Sequence, residues 1–320
     1  MPVAEPDVIA KLQKKEPAGF LLASVRGVGQ VDFQPLLWTG VLILGSLWGA
    51  GWEYGLFATL GALFATAAAY LLGVDRSNIA LGLQGFSGCL TGIALWVYLG
   101  NHGSTYVLTL VGAVMCVVIN ATLTAFLAPY KLNAMTAPFC IVTAVMVIGA
   151  PSYGRLWHGA TPPAADPTYG GSGLTWSDLW RAFFTNVSQI FLVDEWWVGL
   201  VMLVALTLAG WRVGLFAAAG SIVGILVAWA FGAPDAQIAN GIFGYNAVLV
   251  SIGMGTVFLA ATAWNCVYTL IAAGAATALT ASLTTLFDTF GGHTFTWPFN
   301  LTTWAFMAAV PFFPKILRTG

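Results

Sequence analysis

The sequence predicts an all-α integral membrane protein, with ten transmembrane helices and two re-entrant half-helices arranged as an inverted repeat with a pseudo-two-fold axis. Three observations support this fold class: the composition, a series of apolar segments, and three motifs that recur at one spacing. Of the 320 residues, 59% are hydrophobic and only 7% are charged, whereas a soluble domain carries about 25% charged residues. So few charges cannot cover a surface that faces water, so most of the surface must face lipid.

Apolar segments follow one another along both halves of the chain. We place them at 36–52, 55–73, 79–99, 105–128 and 135–150, and again at 196–210, 213–231, 238–259, 262–287 and 295–313. Several reach the roughly 20 residues that cross a bilayer. A weaker stretch precedes each set, at 17–34 and 176–193. We predict that each is a re-entrant half-helix, which a membrane tolerates only where protein or a water-filled cavity covers it.

A polar segment divides the chain near its middle. Residues 151–175 hold four prolines and five glycines, a composition typical of an aqueous linker. We therefore predict a cytoplasmic tail at 1–16, a first membrane repeat at 17–150, an extracytoplasmic linker at 151–175, a second, inverted repeat at 176–313 and a cytoplasmic tail at 314–320.

Three motifs recur in the second half of the chain in one register. GQVDFQPLLWTG from position 29 matches SQIFLVDEWWVG from position 188, and QGFSGCLTGIAL from position 84 matches FGYNAVLVSIGM from position 243, both at an offset of 159. TAPF from position 136 matches TWPF from position 296 at an offset of 160. Three separate motifs in one register indicate an internal duplication.

The basic residues predict the orientation of the chain. With the N-terminus inside and five crossings per half, Arg76, Lys131 and Arg212 fall in inside loops, and the C-terminus is also inside. An odd number of crossings makes the second copy enter from the opposite side. Such inverted repeats are common among transporters, with the site near the bilayer midplane. We expect a multi-pass protein of the plasma membrane, which is the inner membrane of a bacterial cell, with both termini cytoplasmic.

The residues argue against an enzyme. The three histidines, His102, His158 and His293, fall in predicted loops, and the sequence has no HExxH motif, paired intramembrane carboxylates or phosphate loop. The four cysteines lie in apolar runs and are interpreted as core residues rather than disulfides or ligands. We therefore predict no catalytic residue, no metal site and no cofactor, and the net charge of −1 indicates no nucleic-acid partner.

The charged residues favour a passive route for a neutral solute. An ion-coupled carrier usually keeps an ionisable group inside a span, and none of the ten apolar segments has a charge in its middle. Charges near the half-helices are the exceptions. Asp32 and the pair Asp194–Glu195 either border the half-helix ends beside a pore or keep their head groups in water. An ion-coupled secondary carrier of a small polar solute remains the alternative.

Matched polar and aromatic residues remain in the apolar segments. Gln30 and Gln189 must face either protein or a pore, since a buried amide without a partner is costly in hydrocarbon. Phe33, Phe86 and Tyr245 are interpreted either as flat pore walls or as core packing. Thr136 and Thr296 begin the TxPF turns, where a proline either frees backbone carbonyls or only breaks the helix.

These motifs resemble those of the urea transporter family over nearly the whole chain. The resemblance implies a bacterial-type member, a homotrimer in the lipid bilayer with one pore per subunit, and urea as the solute, with related small amides as further candidates. It also implies the roles of the site residues. Gln30 and Gln189 would accept hydrogen bonds from the N–H groups of urea, and Thr136 and Thr296 would line the constriction of the pore. Leu192 stands where the family has a second phenylalanine. The narrow slot around the solute would be formed by Phe33, Phe86, Tyr245, Leu90 and Leu249.

Some residues depart from the family pattern. Ser87 replaces the usual asparagine of the first GFN motif, while Asn246 keeps it in the second, and Tyr245 replaces phenylalanine. The tryptophans at 196–197 and the residues at 34–36 replace the customary Asn-Pro turns. We therefore expect the two ends of the pore to differ.

Overall fold

The computed structural model describes residues 18–159 and 173–319. The predicted tail at 1–16 and residues 160–172 of the predicted linker lie outside the described residues. Within them the fold is all-α, as predicted: the described residues contain fourteen α-helices, short 3-10 turns and one isolated β-bridge, with no β-sheet. By internal contacts the chain divides into two compact units, residues 18–127 with 133–159 and residues 128–132 with 173–319.

The described helices fall into two series of seven. The first series is α1 (Ala18–Gln30), α2 (Leu37–Ala50), α3 (Trp52–Leu71), α4 (Arg76–Ala80), α5 (Gly85–Leu99), α6 (Gly103–Leu127) and α7 (Ala137–Gly149). The second is α8 (Trp176–Ser188), α9 (Trp196–Ala209), α10 (Trp211–Ala230), α11 (Asp235–Ala239), α12 (Tyr245–Ile252), α13 (Ala263–Asp288) and α14 (Trp297–Ala309). A π-helical stretch, Gly253–Phe258, continues α12.

Four of these helices are long and apolar enough to cross a membrane: Trp52–Leu71, Gly103–Tyr130 with its terminal 3-10 turn, Trp211–Ala230 and Ala263–Asp288. The segment Trp176–Phe191 and α9 pass the same test only together, and the chain bends by 78° between them. Four further apolar helices are shorter than these spans: Leu37–Ala50, Gly85–Leu99, Ala137–Ser152 and Tyr245–Phe258. Such a bend is typical of a broken span or of a re-entrant loop, so the half-helix predicted at 176–193 stays a prediction.

The outer surface of both units is apolar in the way that lipid requires. Leu71 and Phe231 are 88% and 74% exposed, respectively. Exposure of such large apolar side chains is unfavourable in water but favourable in contact with lipid acyl chains. Exposed tryptophans stand at or near helix ends, where the indole ring can sit at the lipid–water boundary. They include Trp38, Trp52, Trp176, Trp211, Trp229 and Trp264.

Two of the predicted apolar segments are broken near their starts, a feature that hydropathy did not predict. Instead of one helix at 79–99, the chain forms the short α4, a turn, and then α5 from Gly85; instead of one at 238–259, it forms α11, a turn, and α12. Gly82 (φ 80°) and Gly241 (φ 77°) adopt left-handed conformations in these turns. A Cβ at Gly82 would lie 2.5 Å from the nitrogen of Gly27 in α1, so the turn packs directly on the half-helix.

The backbone repeats in the same register as the motifs. Left-handed residues recur at offsets of 159 or 160: Gly73 and Gly232, Gly82 and Gly241, Phe33 and Leu192, Met135 and Phe295. Apart from the glycines, these are bulky residues for which a positive φ is unfavourable. Because each unit forms these turns within itself, the duplication extends to local backbone geometry that composition does not encode.

Small residues bring helices into backbone contact within each unit. A Cβ at Gly61 in α3 would lie 2.0 Å from the carbonyl oxygen of Gly88 in α5, and a Cβ at Gly88 would lie 2.4 Å from the oxygen of Gly61. The corresponding Gly220 in α10 faces the oxygen of Ala247 in α12 at 2.7 Å. Such close approach is the usual way in which membrane helices associate, because lipid offers no hydrophobic driving force between them.

Candidate functional site

The half-helices α1 and α8 end in the same chain reversal. In the first, the carbonyl oxygen of Gly29 accepts from the N–H groups of Asp32 and Gln34 at 3.1 and 3.0 Å, and Phe33 adopts φ 62°. In the second, Leu192 adopts φ 59°. A left-handed residue with a large side chain costs about 1–3 kcal/mol and is found mostly at ligand sites and switches. The reversal therefore puts Phe33 and Leu192, both partly exposed, at the tips of the half-helices.

The glycine that ends each reversal motif has a packing role. A Cβ at Gly40 would lie 2.2 Å from the oxygen of Val25, and one at Gly199 would lie 1.9 Å from the oxygen of Phe184. Only glycine lets α2 pack so closely on α1, and α9 on α8. These contacts hold each half-helix against the helix that follows it.

Gln30 is the last residue of α1, and its amide is oriented by a hydrogen bond. Its Nε2 donates to the backbone oxygen of Leu81 at 2.8 Å, and its side chain stays partly exposed. Because this bond fixes the NH₂ end of the amide, the Oε1 end points away from Leu81 as an acceptor. Gln189 occupies the matching place after α8 and is also partly exposed.

A second pair of hydrogen bonds fastens each half-helix to the turn before α5 or α12. Arg26 Nη1 donates to the oxygen of Ala80 at 2.9 Å, and Thr185 Oγ1 donates to the oxygen of Ala239 at 2.8 Å. Residues 26 and 185, like 80 and 239, are related by the offset of 159. Motif comparison missed this pair because arginine and threonine share no resemblance in sequence. Arg26 is buried in this role rather than solvated.

The predicted slot residues share one helix face in each unit. Phe86 and Leu90 in α5, and Tyr245 and Leu249 in α12, stand four positions apart, so each pair lies on the same side of its helix. Leu90 and Leu249 are fully buried, while Phe86 is partly exposed and Tyr245 is 9% exposed. Each unit thus presents an aromatic ring with an aliphatic side chain one turn behind it.

Thr136 and Thr296 stand at the N-caps of α7 and α14. Both are buried, both are followed by proline within the first turn, and both come directly after a left-handed residue, Met135 (φ 48°) or Phe295 (φ 44°). The predicted TxPF turns therefore form in each unit. Within each unit the elements that carry the predicted residues pack on one another: α1 and α7 pack on α5, and α8 and α14 pack on α12.

Of the two interpretations that the sequence left open for Asp32, the structure excludes the one with its head group in water. It is fully buried, and neither carboxylate oxygen has a hydrogen-bond partner among the described residues, so its head group is not in water. Asp194 and Glu195 are exposed. The two sites are also not equivalent, since the offset of 159 relates Asp32 to Phe191, which is fully buried. An acidic residue in the first unit therefore occupies the place of a core aromatic in the second.

We predict that Asp32→Asn keeps the protein folded and raises its stability. A buried carboxyl with no donor nearby is costly, so removing the charge at constant size should stabilise the protein by roughly 1 kcal/mol or more. The midpoint of thermal unfolding in detergent measures this. Asp194→Asn is the matched control, because an exposed carboxylate should change stability by less than about 0.5 kcal/mol. A clear fall in the midpoint for Asp32→Asn would show that Asp32 is paired as an anion.

The histidines and cysteines are the remaining candidates for chemistry. The rings of His102 and His158 stack with centroids 4.0 Å apart, and partial burial lowers the pKa of His293 below its usual range. Among the described residues, no three His, Cys, Asp or Glu side chains come together as metal ligands, and the four cysteines are free thiols. The buried cysteines Cys89, Cys116 and Cys140 fit their predicted place in the core.

Comparisons with known proteins agree with the motifs. The sequence pattern of a family described as "Urea transporter" matches residues 21–311. "Urea transporter 1" of Capra hircus is 30% identical over 301 residues, covering 92% of this chain and 78% of that protein. "Urea transporter 1" of Rattus norvegicus is 29% identical over 300 residues, with the same coverage. The match spans both half-helices, both slot faces and both TxPF turns.

Proposed function

Because this chain belongs to the urea transporter family and therefore passes urea passively across a membrane, we propose that its urea moves past the polar and aromatic residues that the two units repeat. The chain is a transporter and not an enzyme. The proposed pathway residues are Gln30, Phe33, Phe86, Leu90, Thr136, Gln189, Leu192, Tyr245, Leu249 and Thr296.

The observation that carries this proposal is the oriented amide at the tip of α1. Gln30 uses its NH₂ group on Leu81, which leaves its side-chain oxygen as an acceptor, three residues before the left-handed Phe33. Urea is neutral and planar, and its four N–H donors lie in the molecular plane. Aromatic and aliphatic faces can therefore hold the flat sides of the solute while acceptors meet its edges. An ion finds no replacement for its hydration shell on such walls, so it is excluded.

We also propose the membrane arrangement that the sequence predicted. The four long spans and the shorter apolar helices support ten crossings with two re-entrant half-helices in an inverted repeat. The basic loops support cytoplasmic termini. The proposal places the protein in the plasma membrane as a homotrimer with one pore per subunit, a state that cross-linking and mass measurement in detergent would test.

We predict that urea flux in proteoliposomes follows the urea gradient alone. Reconstituted protein should speed urea equilibration well above that of protein-free liposomes, and flux should saturate only weakly. Imposed proton or sodium gradients should produce no accumulation of urea, because none of the four long described spans carries a charge in its middle. Accumulation of urea against its gradient would instead support the ion-coupled carrier. Urea flux equal to that of protein-free liposomes would refute the solute assignment.

A further inference from the structure

The segments that follow α7 and α14 fold into the same short structure. We call residues 153–159 the first strap and residues 313–319 the second strap, and the offset of 160 relates them. A 3-10 turn leads into each strap. The N–H of Leu156 in the first strap and of Ile316 in the second each donate to the carbonyl oxygen three residues earlier, at 2.8 and 2.9 Å. The duplication therefore continues past the last helix of each series.

The first strap is held against helices of its own unit. Trp157 packs against a buried cluster of α5 and α7 side chains that includes Leu99 and Val147. This contact places the next residue, His158, against the start of α6, where its Nε2 lies 3.3 Å from Oγ of Ser104. The position of His158 is therefore determined by the packing of the strap.

Two imidazole rings meet where the first strap reaches the loop before α6. The rings of His102 and His158 stack with centroids 4.0 Å apart and planes inclined by 29°. A transition metal holds each ligating nitrogen at about 2.0–2.1 Å, so two nitrogens on one ion lie about 3–4 Å apart, close to the separation of the stacked rings. Both side chains are exposed, so small ring rotations can direct one nitrogen of each toward a shared ion. The sequence predicted no metal site because these histidines belong to separate loops.

The chemistry of the pair selects a class of ion. Two imidazoles, with water in the other positions, suit Cu²⁺, Ni²⁺ or Zn²⁺, whereas Mg²⁺ and Ca²⁺ prefer oxygen ligands. The second strap does not repeat the pair, because the offset of 160 gives Thr262 and Arg318 at the matched positions. Arg318 donates instead to the backbone oxygens of Lys131 and Met307. The pair of imidazoles is therefore a feature that the first unit does not share with its repeat.

We propose that His102 and His158 bind one divalent transition metal ion, which cross-links the first strap to the loop before α6. The ion bridges two segments that α6 and α7 separate along the chain. An unfolded chain does not hold the two histidines together, so the ion binds the folded protein preferentially and stabilises it. The inference does not depend on the path that urea takes, so it can fail while the proposed function holds.

The test is the thermal midpoint of the full-length protein in detergent, purified without a polyhistidine tag. Ni²⁺ at about 100 times its dissociation constant, which calorimetry supplies, should raise the midpoint by roughly 5 °C, and Mg²⁺ should leave it unchanged. His102→Phe and His158→Phe each keep a ring for the stack but remove the ligating nitrogen, so each should lose most of the shift. His293→Asn is the matched control. It removes the third histidine, leaves the pair intact and should keep the full shift.

Bound Cu²⁺ provides a second measurement that a packing role alone would not change. Its electron paramagnetic resonance spectrum should show coupling to two imidazole nitrogens in the wild type and to one in His102→Phe or His158→Phe. If Ni²⁺ does not shift the midpoint of the folded wild type, or if His158→Phe keeps the whole shift, the two rings only stack and the proposed metal site is wrong. Urea flux of the metal-free wild type tests the proposed function separately.

Discussion

Gln30→Met and Gln189→Met are each expected to lower urea permeability by about tenfold or more, the factor for one lost hydrogen bond to a desolvated solute. Methionine keeps the length of the side chain but offers no strong acceptor, so urea would leave water without a replacement for its N–H partner. The measurement is urea efflux from proteoliposomes that contain equal amounts of each variant. Size-exclusion profiles and thermal midpoints would show that the variants remain folded.

Gln237→Ala is the matched control for this prediction. Gln237 is a partly exposed glutamine in the short α11 and belongs to no repeated motif, so its removal should leave urea permeability near that of the wild type. The opposite interpretation of Gln30, as a purely structural amide, makes a different forecast. In that case Gln30→Met would lower the thermal midpoint through the lost bond to Leu81, and urea flux per folded protein would stay unchanged.

The largest effect on stability is expected from Gly61→Ala and Gly88→Ala. Each new Cβ would lie 2.0–2.4 Å from a backbone oxygen of the facing helix, which no side-chain rotation can relieve. Separation of α3 from α5 should cost roughly 3 kcal/mol or more, the upper range for an overpacked core, and should lower the yield of monodisperse protein. Gly220→Ala should act in the same direction more weakly, because its nearest backbone oxygen lies at 2.7 Å.

Gly45→Ala provides the comparison for these glycines. It lies within α2, and a Cβ there would meet nothing within 4 Å. Alanine is favoured over glycine in a helix by up to about 1 kcal/mol, so this variant should be as stable as the wild type or slightly more stable. If Gly61→Ala unfolds at the same temperature as Gly45→Ala, α3 and α5 do not pack through backbone contact.

The positions of the half-helices and apolar helices were predictable because hydropathy and breaker residues act locally. Helices form within the predicted stretches 17–34 and 176–193, as α1 and as α8 with its 3-10 turn, and the TxPF turns begin α7 and α14 where expected. The re-entrant course of the two stretches stays a prediction. The breaks at Gly82 and Gly241 were not predicted. Hydropathy does not show where an apolar run is interrupted, because it does not distinguish a glycine within a helix from a glycine in a turn that packs on another helix.

The sequence by itself determined that the protein is an all-α membrane protein and that its two halves share one register. These conclusions depend on composition, on the apolar segments and on the spacing of repeated motifs, whereas urea as the solute followed from the resemblance of those motifs to the urea transporter family, with which the comparisons agree. Only the tertiary structure decided the burial of Asp32, the matched bonds of Arg26 and Thr185, and the difference between Ser87 and Asn246. The bonds of Arg26, Thr185 and Asn246 reach partners about 50 residues away in the chain, and such pairs are selected by helix packing rather than by local pattern.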